Sequence, residues 1–326
     1  MKDNNPKLYP LKFQPILKEK VWGGNKLQTL LNKDADGEIG ESWEISGVED
    51  DVSTVKNGAL KGKKLDWLLQ EYKEKLVGEQ VYQRFGNTFP LLFKFIDADQ
   101  NLSVQVHPED FIAKQRHNSF GKTEMWYILQ ADRNAQLIVG FKDKFDQQTY
   151  LRALSEKRIT EILNSISVEE GDAFIITPGT VHAIGAGVLL AEIQQTSDIT
   201  YRIYDWDRPG SDGEMRQLHT DFALDAINFS SVTKKLRNEY NNSAPVHIGE
   251  TQYFSVNRLD LSNPMVRKLA GGTSFTVYMC IEGQATMEAN GVSELIQKGE
   301  TVLVPAQLDK IILNTKAASF LEVYIA

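Results

Sequence analysis

Along most of this chain apolar and polar positions alternate over short runs. A period of two is the mark of strands with one buried face. The runs 90–95 (PLLFKF), 102–107 (LSVQVH), 125–130 (MWYILQ), 136–141 and 173–177 are rich in β-branched and aromatic residues and bounded by turn residues, so they predict strands. Three segments carry apolar residues at helical spacing instead. They are 65–77, closed by Gly78; 147–167, with Leu151, Leu154, Ile159, Ile162, Leu163 and Ile166; and 220–229, with Thr220 as N-cap. The texture changes after Phe229: residues 230–245 are polar and charged and read as a linker. Beyond it only strands are expected, at 253–261, 275–281, 285–289, 301–304, 310–314 and 320–325, with Asn290-Gly291 as a hairpin turn.

The two halves repeat each other weakly. EEGDAFIITPGTVHAI (169–184) matches QKGETVLVPAQLDKII (297–312), and WYILQADRNAQLIVG (126–140) matches VYMCIEGQATMEANG (277–291). The expected architecture is mainly β: two small antiparallel barrels in tandem, residues 1–235 and 246–326, with a few helices added to the first. The copies differ where chemistry can reside. His182 of the first barrel stands opposite Asp309 of the second, and Glu124 opposite Phe275. A site therefore belongs to the first barrel.

In LSVQVHPED, Ser103, Gln105 and His107 share one face of a strand, while Leu102, Val104 and Val106 share the other. On its own, that polar face could meet solvent or a barrel interior. Glu124 opens the next strand, and His182 lies in an apolar one. Two imidazoles, a carboxylate and an amide oxygen on successive strands suit a divalent ion such as Zn²⁺, Mn²⁺ or Fe²⁺. With one anionic ligand the ion keeps about one net positive charge and stays a Lewis acid.

Composition narrows the classes. Of 326 residues, 41% are hydrophobic and 25% charged, ordinary for a globular chain. The net charge is −8 and no basic stretch stands out, so no nucleic-acid partner is expected. The single cysteine, Cys280, allows no internal disulfide and reads as a buried thiol. The first residues, MKDNNPKLYPLKF, lack the apolar core of a signal peptide, and 173–193 is too interrupted for a membrane span. A cytoplasmic protein without membrane contact, a monomer or weak homodimer, is expected. No glycine-rich nucleotide motif occurs.

LLFKFIDADQNLSVQVHP (91–108), GKTEMWYIL (121–129), TPGTVHAIG (177–185) and QQTSDITYRIYDWDR (194–208), with WGG (22–24) and GESWEIS (40–46), together resemble the type I phosphomannose isomerases of the cupin superfamily, in their short bacterial form. The resemblance covers essentially the whole chain. It implies two cupin-type (jelly-roll) barrels, and one Zn²⁺ held by Gln105, His107, Glu124 and His182. It also implies interconversion of mannose 6-phosphate and fructose 6-phosphate through a cis-enediol(ate). Arg202 and Lys122 match active-site positions, and Glu192 falls at the acidic position of a proton carrier. Lys94, Ser103 and Arg208 are placed toward the substrate. The chain departs from the long forms in having only short helices, and Ile184 where those often carry Tyr.

The residue types suit this chemistry. Moving a hydrogen between C2 and C1 needs a base beside a carbonyl and cations for the resulting oxyanion. A phosphate in a chain of net charge −8 needs local basic residues. Lys94 lies inside LLFKFI, where an ammonium requires a partner or a cavity. Simpler readings stand beside these: Glu192 as a salt-bridge partner of Arg202, and Trp22 and Trp43 as core rather than cleft walls. Rival functions are an Fe²⁺ cupin oxygenase and a non-catalytic sugar-phosphate-binding module.

Overall fold

The computed structural model describes residues 6–210, 212–230, 235–236, 241, 244–269 and 271–326. Its strands form three sheets, and the named strand pairs are antiparallel. A seven-stranded sheet runs in the order Lys235–Leu236, Ala173–Ile176, Glu124–Ala131, Val188–Gln195, Leu91–Ala98, Ile39–Ile45, Ile16–Gly24. A five-stranded sheet runs Tyr201–Tyr204, Val104–Val106, His182–Ile184, Gln136–Phe141, Leu163–Ser167. An eight-stranded sheet forms the C-terminal half around two long strands, Thr276–Ala289 and Lys310–Tyr324. The fold is mainly β and of the cupin type.

Strand alternation sorts the side chains into layers. Ile96, Trp126, Ile128, Val188 and Leu190 point from the seven-stranded sheet toward Leu137, Val139 and Ile184 of the five-stranded one, forming the floor of the first cup. The opposite face of the five-stranded sheet buries Val104, Val106, Ala183, Tyr201 and Ile203 under the helices, through Tyr150, Ile159 and Ala223. The opposite face of the seven-stranded sheet carries Phe93, Phe95, Met125, Tyr127, Leu189, Ala191 and Ile193. It packs on Val256, Val277, Met279, Leu321 and Val323 of the C-terminal sheet. The remaining faces of the long C-terminal strands, through Tyr278, Cys280 and Phe320, fill the second cup with apolar side chains. The strand Leu11–Lys12 pairs with Thr301–Val304, so the N-terminal segment completes the C-terminal sheet.

Several elements differ from the sequence expectation. The helix expected over 147–167 is Gln147–Ser155 and Ile159–Ile162 only. Lys157 turns left-handed (φ 55°), and Leu163–Ser167 leaves as a strand paired with Gln136–Phe141. Its alternation of apolar and polar residues had merged into the helical spacing before it. The helix over 65–77 breaks at Lys73 (φ 50°) into Leu65–Tyr72 and Glu74–Val77. The last helix is Thr220–Ala226, with His219 rather than Thr220 at the cap position. The C-terminal strands expected as separate pairs are continuous, bulged strands. Asn290 and Gly291 both have positive φ in the turn joining Ala289 to Val292, as a two-residue hairpin of the mirror-image type requires. Part of the expected linker, 231–234, 237–240 and 242–243, lies outside the described residues, whereas Lys235–Leu236 pairs with Ala173–Ile176.

Candidate metal centre and cleft

Three strands of the five-stranded sheet set one wall. His182 pairs with Gln105, and Gln105 pairs with Arg202. The alternation that buries Val104, Val106, Ala183, Tyr201 and Ile203 under the helices turns Ser103, Gln105, His107, His182 and Arg202 toward the other side. The polar face of LSVQVH thus meets the cup interior, not solvent.

The facing wall comes from the seven-stranded sheet, where Trp126, Glu192, Lys94 and Trp43 occupy one row across four strands. Their side chains are linked accordingly. Trp126 Nε1 donates to Glu192 Oε1 at 2.9 Å, Lys94 Nζ lies 3.0 Å from Glu192 Oε2, and Lys94 sits over the Trp43 ring at 5.1 Å. The salt-bridge partner of Glu192 is Lys94, not Arg202. Burial lowers the Lys94 pKa, but the carboxylates of Glu192, Glu41 and Glu124 outweigh it and hold the ammonium charged.

His107, Glu124 and His182 converge with their nearest ligand atoms within 4.8 Å of one another. His107 Nε2 lies 3.3 Å from Glu124 Oε1, and His182 Nε2 lies 3.8 Å from Oε2. Each Nδ1 meets a backbone carbonyl, of Ile199 at 2.8 Å and of Thr180 at 2.9 Å. Those contacts fix the tautomers and leave both Nε2 lone pairs facing the carboxylate. Gln105 stands beside the group, its amide nitrogen Nε2 3.2 Å from His182 Nε2 and its Oε1 toward Ser103 Oγ. Both Glu124 oxygens are buried without a hydrogen bond, although Lys122 Nζ is 2.7 Å from Oε1. A buried carboxylate in that condition, facing two imidazole lone pairs, fits a divalent cation. Burial opposes ionisation of Glu124, yet Lys122 and the two histidines hold its carboxyl well below the usual carboxylate range. Burial, followed by Lys122, pushes His107 down to about 4, and burial lowers His182. Burial thus favours the neutral form of both imidazoles, the form that ligates a metal.

Above the group opens a cleft of about 410 Å³. Lys94, Ser103, Gln105, Lys122, Glu192 and Arg202 all line it, as do Trp22 and Trp43, each buried. Trp22 gets there through the glycines beside it: a Cβ on Gly23 would lie 2.5 Å from the Gly40 backbone nitrogen, so only glycine lets strand Ile16–Gly24 close on Ile39–Ile45. Arg208 is absent from the lining; its guanidinium turns onto Asp205 at 3.1 Å. Arg216, which sequence reasoning passed over, lines the cleft instead. Lys18, Lys20, Glu41 and Asp51 were missed too. They sit on the first strands and the loop beyond, where no alternation of the kind seen in LSVQVH marked a site.

Residues 10–135 match the family model of the type I phosphomannose isomerase catalytic domain, and 246–324 the mannose-6-phosphate isomerase cupin domain. The chain is 35% identical over 310 residues to mannose-6-phosphate isomerase ManA of Bacillus subtilis (strain 168), covering 94% of this chain and 96% of that one. It is 33% identical to mannose-6-phosphate isomerase of Streptococcus mutans serotype c, covering 91% and 92%. The crystal structure of mannose 6-phosphate isomerase from Bacillus subtilis superposes with a TM-score of 0.85 at 30% identity, over 97% of this chain and 99% of that one. A phosphomannose isomerase variant from Salmonella typhimurium, 16% identical with a TM-score of 0.75 over 97% and 99%, shares the fold. By sequence and by fold, this chain belongs to the type I phosphomannose isomerase family.

Proposed function

We propose that the chain interconverts mannose 6-phosphate and fructose 6-phosphate through a cis-enediol(ate). The observation that carries this reading is the buried His107–Glu124–His182 group, with Gln105, opening into a cleft lined by Lys94, Lys122, Arg202 and the carboxylate of Glu192. A bound divalent ion, for which we propose zinc, would act there as a Lewis acid toward the C1 and C2 oxygens. This chain's residues supply the rest. Glu192, fixed by Trp126 and Lys94, takes the proton from C2 and returns it to C1, while a second proton passes between the oxygens. Lys122 and Arg202 donate to the oxyanion that develops in between. Arg202 Nε is buried without a protein partner, so a donor is available for that task. Ser103 and Lys94 orient the sugar.

We assign catalysis to residues 1–235 and support to 246–326. A single buried cysteine, Cys280, with its thiol pushed up to about 12 mainly by burial, fits a reducing cytoplasm. No helix of the described residues is long and apolar enough to cross a membrane. Nothing in the proposal demands more than a monomer or weak homodimer. The test is isomerisation in deuterated water. Deuterium on C1 of fructose 6-phosphate supports an enediol(ate) whose proton passes through an exchanging base; because a shielded base can return the proton it took, product without deuterium removes Glu192 from its role, and points to direct hydride transfer, when Glu192→Gln also keeps full activity.

A further inference from the structure

We propose that Arg216, aimed into the cleft by Asp205, binds the phosphoryl end of the substrate. The inference deepens the phosphosugar reading of this cleft and rests on it. Every lysine of the cleft has a carboxylate: Lys18 lies 2.5 Å from Asp51, Lys20 3.5 Å from Glu41, Lys94 3.0 Å from Glu192 and Lys122 2.7 Å from Glu124. These pairs are close to neutral and offer little to a dianion. The arginines differ. Arg208 and Arg216 share one carboxylate, Asp205, while Arg202 donates to the Gln217 backbone carbonyl, so the three guanidiniums outnumber the carboxylate they meet. The exposed Asp198 also lines the cleft and reduces this field without cancelling it.

Asp205 is buried and grips Arg216 with both oxygens, accepting from Nε and Nη2 at 2.5 Å each. That fork fixes the plane of the guanidinium and leaves Nη1 free to donate. Arg208 reaches the same carboxylate at 3.1 Å from outside the cleft lining. The sheet sets the spacing. His182, Gln105 and Arg202 stand on three adjacent strands, so Arg202 is two strand spacings, about 10 Å, from the histidine. A substrate whose carbonyl end lies at the candidate metal group, within reach of the Arg202 side chain, therefore has its far end beyond the Arg202 strand, toward Arg216. A loop residue beyond the sheet edge takes the position toward the substrate that the family resemblance implied for Arg208.

The experiment uses the full-length, metal-loaded protein and hexitol 6-phosphate, which has no carbonyl and is not turned over. Calorimetry reads its affinity beside that of the unphosphorylated hexitol. Arg216→Ala should weaken hexitol 6-phosphate about tenfold or more, the scale of a lost charge-assisted hydrogen bond. It should raise KM for mannose 6-phosphate by a similar factor while kcat changes less. Arg216→Lys, which keeps the charge and loses the fork, should fall between. Arg208→Ala removes the same charge from behind the cleft and should cost several-fold less than Arg216→Ala. Unchanged affinity in Arg216→Ala, equal losses in Arg208→Ala, or no preference of the parent protein for the phosphorylated hexitol overturns the proposal. Because the ligand is inert, wild-type protein that binds it but does not isomerise mannose 6-phosphate contradicts the isomerase reading and leaves the arginine assignment standing.

Discussion

Glu192 shows what the cleft asks of one residue. Its carboxylate is buried, and Trp126 and Lys94 hold it at both oxygens. Glu192→Gln keeps the shape and the bond from Trp126 but removes the base. The expected result is a fall in kcat of about 10²–10⁴-fold with a smaller change in KM, read by steady-state kinetics. Equal activity would remove Glu192 from proton transfer. At this scale the convergence of His107, Glu124 and His182 was legible. Gln105 and His107 sit at alternate positions of a strand whose other face is apolar, so polarity there had to serve something. Arg216 was illegible because it stands in a loop, where no period ties sequence position to direction. The same reason explains the misplacement of Arg208: six residues past Arg202 the chain has left its strand, at Tyr204, and turned through Trp206 and Asp207, both at positive φ.

At the scale of elements, the C-terminal strands carry their own buried charge. Glu322 on Lys310–Tyr324 accepts from Arg267 at 2.7 and 2.8 Å, Asn257 at 2.9 Å and Tyr278 at 2.7 Å. Burial opposes its ionisation, but these donors hold its carboxyl below the usual carboxylate range. A lowered folded-state pKa means the stabilisation is complete above the unfolded value, near 4.5, and is lost as pH falls through the folded value. Thermal denaturation in acid should therefore show a smaller pH dependence for Glu322→Gln than for the parent protein. That variant should also be less stable near pH 7, by about 1–3 kcal/mol, because the partly exposed Arg267 loses its charged partner. An unchanged melting temperature near neutrality would contradict this account. Strand existence was well marked in these elements, since short β-branched runs between turns have few alternatives. Strand continuity was not: Thr276–Ala289 and Lys310–Tyr324 run through bulges at residues that read as turns.

Across the whole molecule, the seven-stranded sheet is apolar on both faces except where the cleft opens. One face closes the cup, and the other packs on the C-terminal sheet. Phe275, fully buried, lies 4.9 Å from Phe89 at that junction. Phe275→Ala should lower stability by about 3–5 kcal/mol in denaturant unfolding. Deleting 246–326 should leave insoluble or unstable protein, because Phe93, Tyr127 and Ile193 would face water. A soluble, fully active truncation would refute the supporting role. The tandem β architecture was legible from the internal repeat. The participation of Leu11–Lys12 in the C-terminal sheet was not, since a two-residue strand has no periodicity and its partner is far along the chain.

An isomerase built on the His107–Glu124–His182 group depends on the ion that group holds. Formation of fructose 6-phosphate from mannose 6-phosphate is followed before chelator treatment, after it, and after adding Zn²⁺ back. Turnover should fall with the chelator and return with the ion. Turnover that survives complete metal removal, or none in metal-loaded protein, would contradict the isomerase reading.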